Sequence, residues 1–491
     1  MSTLGLDVGT SGCKAVVFSA RGEPLAEAAR AYAVESPRPG WAELDPQLVG
    51  ARCLEVIREV ASRCTDDPVD ALAVSSQGEA FTGVDAKGRP LFNAMVSSDS
   101  RALEQVNACE IDGLYETTGH TPYPIFSLFK LLWLRRERPD VWRQVARFLC
   151  FEDYVHYCLG VEPAISYSLA TRTMLFNVRQ ACWDAGLLEA CGIHEAQLSR
   201  PLSSGEVVGV IPKALCRELH LASGAVVVTG GHDQVCAALG CGAVRSGIAA
   251  LGSGTVECII ASFSHPVMKP ALRDNNLCTY AHAMPGLYAT LAYNLSGGNV
   301  LQWYCRQWLN ETPSEPAYER MLAEMPAAPT GLMVLPYFTG SGTPRFDGQT
   351  PAAILGLRLG THRGEILKAL LEGLCFELES NLRILDGAGL SVDELRVVGG
   401  GAKNRRWLQI KADVFNLPVS VPQVTQAGCL GVALLARAAR YHEPLEALAA
   451  EWIRPGETLL PCPERVSFYR ERATLYGEAY ASLCELSKKL F

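Results

Sequence analysis

The sequence predicts an α/β protein built as two related halves that face one another across a deep cleft. Three observations carry this expectation. Strand-like and helix-like segments alternate along the chain, which is the pattern of layered α/β domains. A glycine-rich hairpin phrase occurs twice, with Gly9 and Gly252 lying 243 residues apart. The chain has 491 residues, too many for one hydrophobic core.

In chain order, LGLDVGTSGCKAVVFSARGEPLAEA reads as a strand, a tight glycine turn, a second strand and a further hairpin. Asp45-Pro46 has the form of an N-cap and first helical residue for an amphipathic stretch to Cys64, and Ala71 to Ser75 reads as a buried strand. AVVVTGGHDQ, from Ala225 to Gln234, runs an apolar strand through two glycines to Asp233, where a helix from Val235 to Leu239 begins. Leu251-Gly252-Ser253-Gly254-Thr255 repeats the opening hairpin, so a domain boundary is expected near residue 245. Later come a long helix from Arg363 to Leu385, a strand from Leu395 to Val398, a Gly399-Gly400-Gly401 turn and a helix from Asn404 to Phe415. A final outer helix is expected from Glu464 to Lys489.

Composition narrows the function. Apolar residues make up 48% and charged residues 20%, the range of ordinary globular proteins. The net charge of -8 is spread along the chain without a basic cluster, so no nucleic-acid partner is expected. The start lacks a signal-like pattern and no apolar run reaches the ~18 residues of a membrane span, which leads us to expect a cytoplasmic protein without a membrane partner. The eighteen cysteines include no C-x-x-C pair. They read as reduced, mostly buried small residues, with Cys236 and Cys241 as helix packing.

Several motifs carry chemistry. The first glycine turn offers backbone N–H groups, the hydroxyls of Thr10 and Ser11, and the charge of Lys14 to an anion. Asp7 could hold a hydrated Mg²⁺ beside it, capping of the turn being the competing use. The second turn offers a similar nest with Ser253 and Thr255. A G-x-x-x-x-G-K-[ST] loop is absent. VVGGGAKN resembles a dinucleotide turn, but Asn404 stands at the third glycine position and no acid follows near Val419, so a mononucleotide over Gly400 and Asn404, or a purely structural turn, is expected instead. Asp233 is the candidate general base, held ionised at a helix N-terminus, and is expected to serve as N-cap as well. Gln77 and Glu79 follow a strand end, where polyhydroxylated ligands find donors and acceptors. Asp99 and Arg101 read as an exposed ion pair or a supporting one, and Trp303 and Trp407 as core.

Taken in order, DxGTSxxK from Asp7, FSLFKLLWL from Phe126, GGHDQ from Gly230, LGSGT from Leu251, SGGNVLQW from Ser296 and GGGAKN from Gly399 resemble the FGGY family of carbohydrate kinases. The resemblance covers nearly the whole chain. It implies two actin-like, RNase H-like ATPase domains, a sugar-binding one over 1–245 and a nucleotide-binding one over 246–491, with ATP and Mg²⁺ as cofactors. It further implies Asp233 as catalytic base, Asp7 near the metal through water, and Gln77, Glu79, Asp233 and Gln234 at the substrate. Thr10, Ser11, Lys14, Ser253 and Thr255 would meet the phosphates, while Gly298, Gln302, Gly400 and Asn404 would border the nucleotide.

The implied reaction is phosphorylation of a terminal hydroxyl of a ketopentose such as xylulose, with glycerol or another polyol or ketose as the alternative. Xylulose kinases carry Met-His after the glutamine and glycerol kinases Arg-Glu, whereas this chain has Gly78-Glu79. The small Gly78 is expected to open room for a longer sugar, and Ile125 replaces an aromatic that glycerol kinases use. A non-catalytic actin-like ATP-binding module is a more distant reading, and a nicotinamide-dependent dehydrogenase is disfavoured. The expected partner is a small sugar or polyol; a homodimer is admitted but not required.

Overall fold

The computed structural model describes residues 1–487 and Lys489. Its first lobe is centred on a six-stranded sheet made of β1 (Ser2–Val8), β2 (Gly12–Phe18), β3 (Pro24–Ala31), β4 (Val69–Ser76), β5 (Val207–Val210) and β6 (Val226–His232), in the order β5-β6-β4-β1-β2-β3. β1, β2 and β3 are antiparallel neighbours, while β1, β4 and β6 run parallel. The parallel strands are almost wholly buried, which is why β4 reads as a continuous buried run and not as an alternating one. Helix α1 (Pro46–Ser62) begins as its sequence requires, with the Asp45 side chain accepting from the Gln47 N–H and Pro46 in the first turn.

The second lobe repeats this plan. β7 (Ile248–Ser253) and β8 (Glu257–Phe263) form the second hairpin, followed by β9 (Tyr280–Ala281), β10 (Tyr288–Asn294), β11 (Glu394–Val398), β12 (Val419–Ser420) and β13 (Thr458–Leu459). The order β9-β10-β8-β7-β11-β12-β13 keeps the first hairpin and its parallel neighbours in the same relation as in the first sheet. The repeat visible in the sequence is therefore a repeat of topology. The expected long helix spans Arg363–Gly387. The last helix spans Pro463–Ser487, and its expected continuation through residue 488 lies outside the described residues.

The connecting helices that place the site are α2 (Phe151–Cys158), α3 (Tyr167–Arg172), α4 (Asp233–Gly240), α5 (Gly298–Trp308), α6 (Arg405–Phe415) and α7 (Ala427–Tyr441). Helix α7 comes late in the chain yet lies on β1, β4, β6 and α4 of the first lobe. Close approach is possible because a β-carbon on Gly5 would sit 1.9 Å from the Cys429 carbonyl oxygen, and one on Gly431 2.0 Å from that of Cys236. One apolar cluster accordingly unites Ala73, Val228 and Leu239 of the first lobe with Ile248 and Ala250 of the second and Val432 and Leu435 of α7.

All eighteen cysteines are free and most are buried, Cys236 and Cys241 completely. Among the described residues no helix is long and apolar enough to cross a membrane. Asp99 and Arg101 are not an exposed pair: their side chains keep 0% and 3% exposure, Arg101 also meets Glu43, and its guanidinium lies 3.6 Å from the Trp41 ring centroid. Desolvation by Trp41 and Trp133, distant in sequence, makes this a fixed internal clamp.

Candidate active site

Strand β6 delivers the central carboxylate. Its pairing with β4 shifts register between Val228 and Gly231, and the Gly230 N–H, turned out of the ladder, donates to Glu152 Oε1 at 2.8 Å. The other oxygen of the same buried carboxylate accepts from the Ser166 N–H at 2.8 Å, and the His232 N–H donates to Ser168 Oγ at 3.0 Å. The bulge before Asp233 is thus tied to the start of α3.

Asp233 is the first residue of α4, and the N-cap is His232, without a side-chain capping bond. The expected capping role therefore falls away. Asp233 Oδ1 lies 3.2 Å from His232 Nε2 but is not aligned for a hydrogen bond, which leaves that oxygen without a partner. The carboxyl is pushed up to about 7, first by enclosure and then by the Asp7 carboxylate, against the opposing pull of Gln234 and Arg172. Contrary to the expectation from the helix terminus, the dipole does not hold this group fully ionised at neutral pH. Burial keeps the neighbouring His232 far below its ordinary value, and pushes the Tyr280 hydroxyl well up. The Tyr280 hydroxyl lies 3.3 Å from His232 Nδ1, within hydrogen-bonding distance, while Nε2 of the same ring is the nitrogen nearest Asp233.

A general base must shed its proton before it can act. We expect kcat/KM to rise with pH along a single limb near 7 and to level above it, and Asp7→Asn to move that limb to lower pH because the like charge is gone. A flat profile between about pH 5.5 and 8.5 would exclude this role.

Asp7 Oδ1 accepts from Ser75 Oγ at 2.6 Å, and burial raises its carboxyl while Lys14 opposes the rise. Lys14 pairs in register with Asp7 across the hairpin and donates to Gln426 Oε1 at 3.0 Å. Thr10 and Ser11 are exposed on the turn. Gln77 is engaged by that turn: its amide nitrogen donates to the Gly9 carbonyl at 3.0 Å, and Thr10 Oγ1 lies 3.5 Å from its oxygen. Glu79, at φ 61°, accepts from Ser97 at 2.9 Å and pairs with Arg172. Gln234 acts on the Asp233 carboxylate through its backbone and side chain.

On the second lobe, Gly254, Thr255, Gly298, Gln302, Gly400 and Asn404 line one cavity of about 520 Å³, with Tyr318 and the aliphatic Leu301 and Leu322. Gly399, at φ 93°, turns the chain out of β11, and Asn404 caps α6 through the Trp407 N–H at 2.9 Å. Ser253 behaves differently from its expected role. Its hydroxyl turns inward and donates to Glu257 Oε1 at 2.7 Å, and a β-carbon on Gly401 would lie 2.0 Å from it. Glu257 in turn pairs with Lys411 at 2.7 Å, both side chains fully buried, and Lys411 lies 3.6 Å from the Trp407 centroid. Trp407 is core, whereas Trp303 is half-buried against Phe338.

Sequence motifs did not single out Arg172, His120 or Tyr280, which surround Glu79 and Asp233 from α3, a loop and β9 respectively. The only local signal was the buried, charge-bearing end of α3, which has no meaning until β6 lies beside it. Gly78 also differs from expectation. A β-carbon there would lie 2.9 Å from the His232 ring, so the glycine makes room for that ring and opens no space for a longer sugar.

The fold pairs two topologically matched α/β lobes, with Asp233 at the end of β6 in the first and a glycine-lined cavity in the second, an arrangement compatible with a phosphotransferase. Residues 2–240 match the N-terminal domain and residues 249–440 the C-terminal domain of the FGGY family of carbohydrate kinases, and the chain belongs to that family. It is 27% identical to a xylulose kinase of Staphylococcus epidermidis over 99% of this chain and 98% of that one. It is 31% identical to a glycerol kinase of Citrifermentans bemidjiense over 91% and 92% respectively. The crystal structure of a xyloylose kinase from Brucella ovis superposes with a TM-score of 0.92 at 27% identity, covering 99% of this chain and all of the other. The actin-like ATPase fold expected from the sequence is thereby established.

Proposed function

We propose that this protein transfers the γ-phosphoryl group of ATP to a terminal hydroxyl of a ketopentose such as xylulose. The observation that carries this reading is Asp233: a carboxyl with an unpartnered oxygen, pushed up to about 7 and acted on by Asp7, Gln234 and Arg172. In this reading residues 1–245 hold the acceptor and 246–491 the nucleotide.

The cavity bordered by Gly298, Gln302, Gly400 and Asn404 has the volume and mixed apolar lining that a nucleoside needs. In this reading Thr255, Thr10, Ser11 and Lys14 meet the phosphates. Asp7 fits a divalent cation held through water, because its carboxylate raises the proton affinity of the half-buried Asp233 and a positive charge beside it would offset that repulsion. Among the described residues no cluster of three or more His, Cys, Asp or Glu side chains suits a metal, so water and phosphate oxygens would complete its shell. Such a Mg²⁺, held at Asp7 through water, would neutralise charge on the transferred group. Asp233 orients the acceptor hydroxyl and takes its proton, while enclosure between the lobes limits access of water.

A second reading, a glycerol or other polyol kinase, is supported by the retained carboxylate of Glu79 and by the 31% identical glycerol kinase. ADP release, coupled to an indicator enzyme, is to be measured with MgATP and a panel of ketopentoses and polyols. Turnover is expected with xylulose or a close ketose. Preference for glycerol would select the second reading, and ATP-dependent light scattering without acceptor-dependent ADP would select a non-catalytic module.

A further inference from the structure

Gly78 has no side chain to offer the acceptor, but the space over it is filled from elsewhere. Arg172, the last residue of α3, has 8% of its side chain exposed and pairs with Glu79, which is 2% exposed. Its Nη1 lies 3.2 Å from His120 Nε2, and its guanidinium carbon lies 5.0 Å from the Phe126 centroid and 5.9 Å from that of Tyr280. A β-carbon on Gly78 would lie 3.4 Å from Arg172 Nε, and that nitrogen has no hydrogen-bond partner. Arg172 also acts on the charge of Asp233. A guanidinium with an idle N–H therefore stands between the peptide of Gly78 and the reacting carboxylate, locked in place by Glu79, His120 and two aromatic faces.

A guanidinium and a carboxylate side by side suit a polyol, since each hydroxyl can accept from the one and donate to the other. Their charges cancel. Burial holds the imidazoles of His120 at about 4 and of His232 far down, so neither adds positive charge at neutral pH. An anionic ligand would meet no unpaired cation here and two further carboxylates, Asp7 and Asp233.

We propose that Arg172, paired with Glu79, is a specificity-determining residue that reads the non-reacting hydroxyls of the acceptor and restricts it to uncharged sugars or polyols over sugar acids. The inference rests on the kinase reading above. It is tested with full-length protein by acceptor-dependent ADP release, using the best neutral acceptor of the panel and the aldonic acid of equal chain length. Wild type is expected to favour the neutral acceptor by about 100-fold or more in kcat/KM, the discrimination a site of paired hydrogen bonds provides.

Glu79→Gln leaves Arg172 unopposed. It should weaken the neutral acceptor about tenfold, mainly through KM, and narrow the neutral-to-acid ratio by about tenfold or more, as loss of one charged hydrogen-bond partner implies. Arg172→Lys keeps the charge but loses the fork, so it should raise KM for the neutral acceptor while the ratio stays high; it serves as the test if Glu79→Gln does not fold. Equal losses for both acceptors in Glu79→Gln, an unchanged KM in Arg172→Lys, or a wild-type enzyme indifferent to acceptor charge would each overturn the inference with the kinase reading intact. A wild-type protein releasing no acceptor-dependent ADP would overturn both.

Discussion

Asp233→Ala is expected to lower acceptor-dependent ADP release by about 10²–10⁴-fold, the usual contribution of a positioned general base, while nucleotide affinity stays within about twofold. The separation follows from placement. The cavity proposed for the nucleotide is built from the second lobe, at Gly254, Gly298 and Gly400, and no residue of α4 lines it. Fold stability offers an independent check. The Asp233 carboxyl is raised from its ordinary value to about 7, so its favourable contribution is present at acid pH and is lost as pH rises through 7. Asp233→Asn, which keeps the shape and removes the charge, should therefore leave the melting temperature at about pH 8 unchanged or higher. An inactive variant that also melts early would point to a structural residue and not a base, and an active variant would remove the assignment altogether.

The second large effect lies behind the nucleotide turn. Lys411→Ala would leave the Glu257 carboxylate without its cation at 0% exposure, and loss of one member of such a pair is expected to cost about 3–5 kcal/mol. The change should appear as an earlier denaturant midpoint. Nucleotide affinity should weaken with it, because Glu257 accepts the Ser253 hydroxyl and so sets the turn from Gly252 to Thr255. Combining Lys411→Met with Glu257→Gln removes both charges and should recover most of the stability, since replacing a buried pair whole is often nearly neutral. A single variant that loses less than about 1 kcal/mol would show that the buried charge finds another partner.

Local features were legible in the residues. Asp45-Pro46 starts a helix, Gly399 turns a strand out, Asn404 caps the helix that follows, and the hairpin at Gly9 recurs at Gly252, because each depends on neighbours within a few positions. Five residues expected at the nucleotide or its phosphates line one cavity, Gly400 and Asn404 from their local turn and Gly298 and Gln302 only through the family resemblance. What escaped depends on distant partners. Gly78 reads as open space until His232 arrives from β6, and Ser253 reads as a phosphate ligand because the inward pairing of its near neighbour Glu257 depends on Lys411 from α6. The burial of Asp99 and Arg101 required Trp41 and Trp133, and Arg172 acquired meaning only when α3 met Glu79.

Helix α7 has a consequence for how the molecule is made. The first sheet is complete in strands at His232, but the helix covering β1 and β4 begins at Ala427. During synthesis the leading half must wait, with one apolar face bare, until the ribosome has delivered residue 441. A fragment cut at the midpoint would carry that bare face permanently, so the halves that look separable on paper mature only as one nascent chain.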